Sequence, residues 1–324
     1  MSLKILYAAS NSIGSKIRLY RFLNAIKDKN YNIKIAAYIK SSPNVSIDWT
    51  LDALLNIYDP KKICFDNNVL KIYMDQIKYF NPDLIISDLE VFTSYIANTL
   101  NIKCWQVSPL LLNKAIPHYV KYNIGLYKNY SSLSNSHWTS DTYMANLIVN
   151  SDRKLVYSYF CDTNYFDLNN GYEWVRPYYL DGKKTKTSEH NMIAITPECN
   201  KKIISFAQSH SDSIIFSEKN TEKFNGVINK SYLDEQEYAC NLSSSNVILH
   251  EGHTSFMADC FYNKKYPFMI PDFINSECTM NSLFADYFNI GKIINSKNLP
   301  SNEEQIDFTF NKNSMYLHQR IEQL

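Results

Sequence analysis

The sequence predicts an α/β fold made of two parallel-sheet halves that face each other across a cleft. Three observations carry this reading. Apolar, strand-like runs alternate with helix-like segments from Leu3 to Val107. The alternation restarts at Met192 after a polar break. Between Asn246 and Ile294 the chain reads strand, tight turn, helix, strand, loop, helix, which is a βαβα unit of a parallel sheet.

Taken in order, Leu3 to Ala9 is an apolar first strand. Ser10 to Ser15 forms a loop, and a helix follows to about Asp28, with Ile17, Tyr20, Leu23, Ala25 and Ile26 as its apolar face. Asn32 to Ile39 is a second strand, Asp48 to Ile57 is helix-like, Lys62 to Phe65 a short strand, and Leu70 to Phe80 a helix. Asn81-Pro82 breaks the pattern. Leu84 to Ile86 is a buried strand ending at Ser87-Asp88, with a helix from Glu90 to Leu100 and a strand from Cys104 to Val107. From Leu110 to Asn150 the periodicity loosens, and Lys114, His118, Tyr119, Lys121, Tyr122, Tyr127, Lys128 and Tyr130 interleave bases with aromatics. The plain reading is a solvated amphipathic region. The functional one is a binding surface for a polyanion or a membrane face, where Lys meets phosphate and Tyr stacks. Lys154 to Phe160 reads as the last strand of the first half, and Tyr172 to His190, with its polar run Asp181 to Lys186, as a linker. The second half then has strands at Met192 to Ile195, Ile214 to Phe216 and Gly226 to Ile228, and helices at Lys201 to Gln208 and Leu233 to Leu242. A final loop and helix run from Phe308 to Leu324.

Composition narrows the function classes. A chain of 324 residues that is 45% hydrophobic can bury a real core, as two ordinary domains or one large one. A net charge of +1 supplies no global field for nucleic acid or acidic membrane. Seven cysteines, scattered and never in CxxC spacing, argue against a zinc motif or a disulfide framework and for a reducing cytosol. No signal peptide or membrane-spanning run is expected. With 25 tyrosines and only seven glycines, the bias fits an AT-rich genome such as that of a phage or low-GC bacterium. The expected setting is therefore the bacterial cytosol, or the host cytoplasm for a phage-encoded chain.

The chemistry concentrates in the turn after Val247-Ile248-Leu249. There His250-Glu251-Gly252-His253 leads into a helix that Thr254 or Ser255 could cap. Such a helix start offers free N–H groups and a positive dipole end to an anion, most often a phosphate. His250 reads either as a strand-end structural histidine or as a phosphate contact, and His253 reads as the one that reaches a phosphate directly.

From here the chain resembles the nucleotide-sugar half of a GT-B glycosyltransferase of the MurG and UDP-glycosyltransferase superfamily. The matching pieces are Gly252, Thr254-Ser255, Asp259, Lys264-Lys265, Pro267 and Pro271, Glu277-Cys278 and Asn281-Ser282. In the first half, Asn81 to Glu90 resembles the family's PD-apolar-SD-x-E segment, and Gly14 to Arg18 sits where the family has a glycine loop, often Gly-His-x-x-Arg. Leu110 to Tyr172 matches no family segment.

The resemblance implies two Rossmann-like domains: an acceptor-binding one over 1–178 and a nucleotide-sugar-binding one over 179–324, with the last helix free to pack back on the first. The turn from Gly252 to Ser255 would hold the diphosphate, Asp259 the ribose hydroxyls, and Glu277, near Asn281, the donor sugar. Gly14, Ser15 and Arg18 would form the facing loop, Arg18 neutralising phosphate or serving as an ordinary helix charge. Asp259 and Glu277 also read as plain helix carboxylates. No metal or other cofactor is required, and the donor is a UDP-sugar. Glu251 departs from a common Gly, Cys278 from a usual Gln, and Ser15 from the loop histidine that many relatives use as base. Asp88 is therefore the first candidate for the base and Glu90 the second, both also readable as structural. The resemblance implies inverting transfer of a hexose or pentose to an acceptor hydroxyl. The acceptor is open between a hydroxymethylated base of phage DNA and a lipid or small molecule. The rivals are a UDP-sugar 2-epimerase of the same fold and a non-catalytic sugar-nucleotide-binding protein.

Overall fold

The computed structural model describes residues 2–10, 12–38, 46–51, 58–59, 62–63, 67–88, 90–123, 151–162, 165–181, 190–197, 199–218, 224, 227–232, 234–271, 275–294 and 314–324. The first half gives β1 (Leu3–Ala9), α1 (Ile13–Ile26), β2 (Tyr31–Ala37), β3 (Trp49–Thr50), β4 (Tyr58–Asp59), β5 (Lys62–Ile63), α2 (Asn67–Phe80), β6 (Leu84–Asp88), α3 (Val91–Thr99), β7 (Cys104–Ser108), α4 (Leu112–Ala115), α5 (His118–Asn123), β8 (Arg153–Tyr157) and β9 (Glu173–Val175). Seven of these strands form one parallel sheet in the order β3-β2-β1-β6-β7-β8-β9. All five residues of β6 and the last five of β1 are buried, as expected of strands covered by helices on both faces.

The second half gives β10 (Met192–Ile195), α6 (Lys201–Gln208), β11 (Ser213–Ser217), β12 (Ile228–Ser231), α7 (Glu235–Ser244), β13 (Val247–His250), α8 (Thr254–Tyr262), β14 (Pro267–Met269), α9 (Ser276–Tyr287), β15 (Lys292–Ile293) and α10 (Leu317–Ile321). Its six strands are also parallel, in the order β12-β11-β10-β13-β14-β15. Each sheet reverses its direction of winding once near its centre. In the first the switch lies between β1 and β6, where Ala9 pairs with Asp88. In the second it lies between β10 and β13, where Ile195 pairs with His250. Ligands of open α/β sheets bind outside the carboxyl ends of the strands at such switch points.

Helix α1 joins the two halves. Its Leu19, Phe22 and Ile26 pack into the core of the first sheet, while Ile13 and Ile17 pack with Ile195, Phe216, Tyr232 and Phe256 of the second. The buried set thus differs from the expected face, since Tyr20, Leu23 and Ala25 are only half-buried. A second apolar seam brings Tyr159 and Phe160 against Met257, Phe261 and Phe284. Leu317 and Ile321 of α10 are buried in the core of the first sheet.

Three expectations change. Trp49–Thr50, read as the start of a helix, is an edge strand on β2, because the Asp48 carboxylate accepts from Ile35 N–H and ties the segment to that strand. The rest of that segment, 52–57, lies outside the described residues. The first half does not end its sheet at Lys154 to Phe160. A further strand, β9, stands inside the stretch read as a linker and pairs with β8. In the second half β12 starts at Ile228, so it is displaced from the expected Gly226 to Ile228. The polar run 182–186, and Tyr127, Lys128 and Tyr130, lie outside the described residues.

Candidate active site

The two switch points meet at the seam, and three helix starts converge there: α1, α8 and α9. Gly252 makes the turn that leads from β13 to α8. Its φ is +106°, and a Cβ would lie 2.5 Å from Ser282 Oγ and 2.6 Å from the Cys278 carbonyl oxygen. Only glycine combines that backbone with such a close approach to α9. Asn281 locks the contact, because its Nδ2 donates to the Gly252 carbonyl at 2.8 Å and to Thr254 Oγ1 at 2.9 Å.

At the start of α8, Thr254 N–H donates to Glu277 Oε1 at 2.9 Å. A carboxylate thus already sits where an anion is favoured, on a helix N-terminus. The other carboxylate oxygen of Glu277 points toward Gly14, 3.8 or 3.6 Å being the distances of its two oxygens from a Cβ built there. The same built Cβ is 3.0 Å from Arg18 Nη1, so the missing side chain of Gly14 leaves room for both charged heads.

Several buried polar atoms of these residues have no hydrogen-bond partner among the described residues: Arg18 Nη1, His250 Nε2, Ser255 Oγ and Ser282 Oγ. His250 Nδ1 accepts from Gly252 N–H at 2.8 Å, which puts the proton of the neutral ring on Nε2. Burial, aided by the neighbouring His253, pushes the His250 imidazole down to about 3, so it is neutral. Burying unpaired polar groups costs free energy unless a ligand or water completes them.

The remaining residues of the turn form their own cluster. Glu251 turns away from the α8 start: its Oε1 accepts from Thr196 Oγ1 at 2.6 Å, and its Oε2 lies 3.4 Å from His253 Nε2. His253 therefore faces Glu251 and Cys278, whose acidic neighbourhood outweighs burial and holds the imidazole pKa up. Burial pushes the Cys278 thiol up to about 12.

Both carboxylates expected to act as base are instead buried and paired. Asp88 is 0% exposed. Arg18 grips it through Nε at 2.9 Å and Nη2 at 2.7 Å, and Tyr7 O–H donates to it at 3.0 Å. Although burial alone would lower the Arg18 pKa, Asp88 raises it, so the guanidinium stays charged. Glu90 is the N-cap of α3: its carboxylate accepts from Phe92 N–H and Thr93 N–H, and from Tyr38 O–H at 2.8 Å. Burial raises its pKa against those donors. Ser15 stitches the β1–α1 turn, accepting from Ser10 N–H and donating to the Asp88 carbonyl.

Asp259, expected to hold ribose, is likewise 0% exposed. Arg21 of α1 takes both its oxygens, at 3.0 and 2.8 Å, and Leu180 N–H donates to Oδ1 at 2.8 Å. The bidentate Arg21 pair and the Leu180 N–H occupy both carboxylate oxygens inside the protein. Its partner Arg21 was not singled out from the sequence. The hint there was a further basic residue, after Lys16 and Arg18, one turn from Arg18 on a helix with a buried apolar face.

The sequence matches the family model described as glycosyl transferase family 1 over residues 61–311. No curated protein matches it significantly. Among solved structures it is similar to the spinosyn forosaminyltransferase SpnP, at 13% identity and a TM-score of 0.59, covering 91% of this chain and 86% of that one. The Streptomyces sp. SF2575 glycosyltransferase SsfS6 complexed with thymidine diphosphate gives 12% identity and a TM-score of 0.58, with 90% and 87% covered. Phytolacca americana UGT2, complexed with UDP-2fluoro-glucose and pterostilbene, gives 10% and 0.59, with 91% and 86% covered. At these identities the likeness establishes a shared fold.

Proposed function

Because the chain belongs to glycosyl transferase family 1 and has the GT-B fold, we propose that it moves a sugar from a nucleotide-sugar donor, a UDP-sugar, to an acceptor hydroxyl at the seam of its two sheets. The observation that carries this is the Glu277 carboxylate on the α8 N-terminus with Arg18 Nη1 beside the same Gly14, while His250 Nε2 and Ser255 Oγ of the β13–α8 segment are buried without a hydrogen-bond partner among the described residues. That arrangement suits a diphosphate. In this reading the donor's phosphates take the α8 N–H groups and displace Glu277, with Ser255, His250 and Arg18 completing the seat. As the anomeric C–O bond breaks, the same donors stabilise the departing nucleoside diphosphate. His253 then supports the turn and makes no phosphate contact.

Transfer with inversion needs a base for the acceptor hydroxyl. Asp88 is engaged by Arg18, so in this reading it positions that arginine. Glu277 takes the base role. Once displaced from Thr254, its oxygens face Gly14 on one side and the donor sugar on the other. The acceptor oxygen attacks the anomeric carbon, its proton passes to Glu277, and the bonding pair leaves with the diphosphate. Ribose recognition falls outside Asp259 while the Arg21 pair is intact. The domain boundary belongs to this reading too: 178/179 falls between β9 and β10, so each sheet is confined to one side of it. The scattered cysteines suit a cytosolic setting.

A second reading of the acceptor, an anionic one such as DNA, is favoured by one observation. Burial lowers the pKa of Lys114 and Lys121, with Lys154 adding repulsion at Lys114 and Lys114 adding it at Lys121, which places the three ammonium groups near one another. Exposed Tyr119 and Tyr122 flank them. Assaying donor turnover over UDP-, TDP- and GDP-sugars tests both readings, with no acceptor, with phenolic acceptors and with hydroxymethylated duplex DNA. Acceptor-dependent release of one nucleoside diphosphate is expected. Interconversion of UDP-sugars without an acceptor would mean an epimerase, and uniform inactivity would remove the transferase reading.

A further inference from the structure

Beside the proposed diphosphate seat, and not part of it, lies a second constellation. One oxygen of Glu251, one ring nitrogen of His253 and the sulfur of Cys278 lie within 4.8 Å of one another. All three residues are more than nine-tenths buried. They come from different elements: Glu251 and His253 from the β13–α8 turn, Cys278 from the first turn of α9. The turn is held against α9 by Asn281 and by the close approach of Gly252, so the three groups are fixed relative to one another by contacts that do not involve them.

We propose that Glu251, His253 and Cys278 form a binding site for a divalent transition-metal ion of the zinc class. The donor set of one thiolate sulfur, one imidazole nitrogen and one carboxylate oxygen is that of a borderline-soft ion, and three protein ligands leave a fourth position open. In a tetrahedral zinc site neighbouring ligand atoms lie about 3.3–3.8 Å apart, so closing from 4.8 Å asks for movements of roughly 1 Å, within the reach of side-chain rotation. Two further observations favour an ion. The buried His253 ring makes no hydrogen bond of good geometry among the described residues, only loose contacts to Cys278 and to Glu251, whose Oε2 lies 3.4 Å from Nε2. The second oxygen of Glu251 is held by Thr196 O–H at 2.6 Å, an outer contact of the kind that orients a ligating carboxylate.

Binding is balanced simply. The metal takes one lone pair each from the sulfur, a ring nitrogen and a carboxylate oxygen, and the Cys278 thiol proton and the His253 imidazolium proton both go to solvent. The competing occupant is a proton, which would make His253 an imidazolium between Glu251 and the thiol. The inference does not depend on the turn holding a diphosphate, and its test reads metal and not turnover.

Metal-stripped full-length protein is titrated with Co(II), both as it stands and after unfolding and refolding with Co(II) present, since the ligands are buried. One equivalent is expected, with thiolate-to-cobalt charge transfer in the near ultraviolet and the intense visible bands of a tetrahedral ion. Cys278→Ser and Cys278→Asp should both lose the near-ultraviolet band, and His253→Asn should weaken binding about tenfold or more. Cys199→Ser should leave spectrum and stoichiometry unchanged, which guards against adventitious thiols. The proposal is overturned by no stoichiometric uptake under either condition, or by a sulfur band that survives in Cys278→Asp. Circular dichroism on each variant keeps a folding failure from being read as metal loss.

Discussion

At the scale of single residues, the carboxylates gripped by other side chains and N–H groups stand apart from Glu277, the one proposed to react. Asp88, Glu90 and Asp259 are the gripped ones. The N-cap role of Glu90 predicts that Glu90→Ala destabilises the protein by about 1–2 kcal/mol, read as a lowered denaturant midpoint, while turnover per folded molecule stays the same. A large fall in kcat at unchanged stability would instead return Glu90 to the chemistry. Glu277 gives the opposite expectation. As base, its change to Gln should lower kcat by about 10²–10⁴-fold with a much smaller change in donor KM. Asp88→Asn should act mainly on donor KM, because it frees the arginine that faces the phosphates. If Asp88→Asn removed kcat and Glu277→Gln did not, the two roles would be reversed. The sequence left both roles open for these carboxylates, because one at a strand's carboxyl end, such as Asp88, reads the same whether its partner is a proton or Arg18.

At the scale of elements, the β13–α8 turn and helix α1 do most to shape the seam. Gly252→Ala would put a Cβ against the Cys278 carbonyl and demand a left-handed backbone, which alone costs a side chain about 1–2 kcal/mol. Adding Ser282→Ala should not rescue it, since the clash with backbone remains. Donor binding should be lost in both variants, as measured by calorimetry. Helix α1 carries a different test. Removing one partner of a buried ion pair strands the other, so Asp259→Leu alone should cost about 3–5 kcal/mol. Asp259→Leu combined with Arg21→Met should recover most of that loss, read from denaturant midpoints. A double variant as unstable as the single would show that the pair matters for more than charge balance. The turn could be located from its strand, glycine and helix signal. The Arg21 pair could not, because its members lie 238 residues apart and no local pattern links them.

At the scale of the whole molecule, the two-sheet architecture was legible because its central strands are continuous apolar runs: β1, β6, β10 and β13 were all found where expected. The sheet edges were not. β3 and β9 are two and three residues long and take their strand character from a neighbour rather than from their own sequence, so propensity could not mark them. Arg18, His250, Ser255 and Glu277 are all buried, so the proposed seat asks for a hinge or shear opening of the kind common around ligands. No described helix is long and apolar enough to cross a membrane. The central claim is that the start of α8, with Arg18, is a nucleoside-diphosphate seat. Calorimetric titration of the wild-type chain and of Arg18→Met with UDP, at one ionic strength, tests it most directly. The account predicts saturable one-to-one binding to the wild type, weakened about tenfold or more when the guanidinium is removed, as for loss of a charge-assisted contact. Equal affinity in the two proteins, or no binding of UDP, TDP or GDP to the wild type, would contradict it.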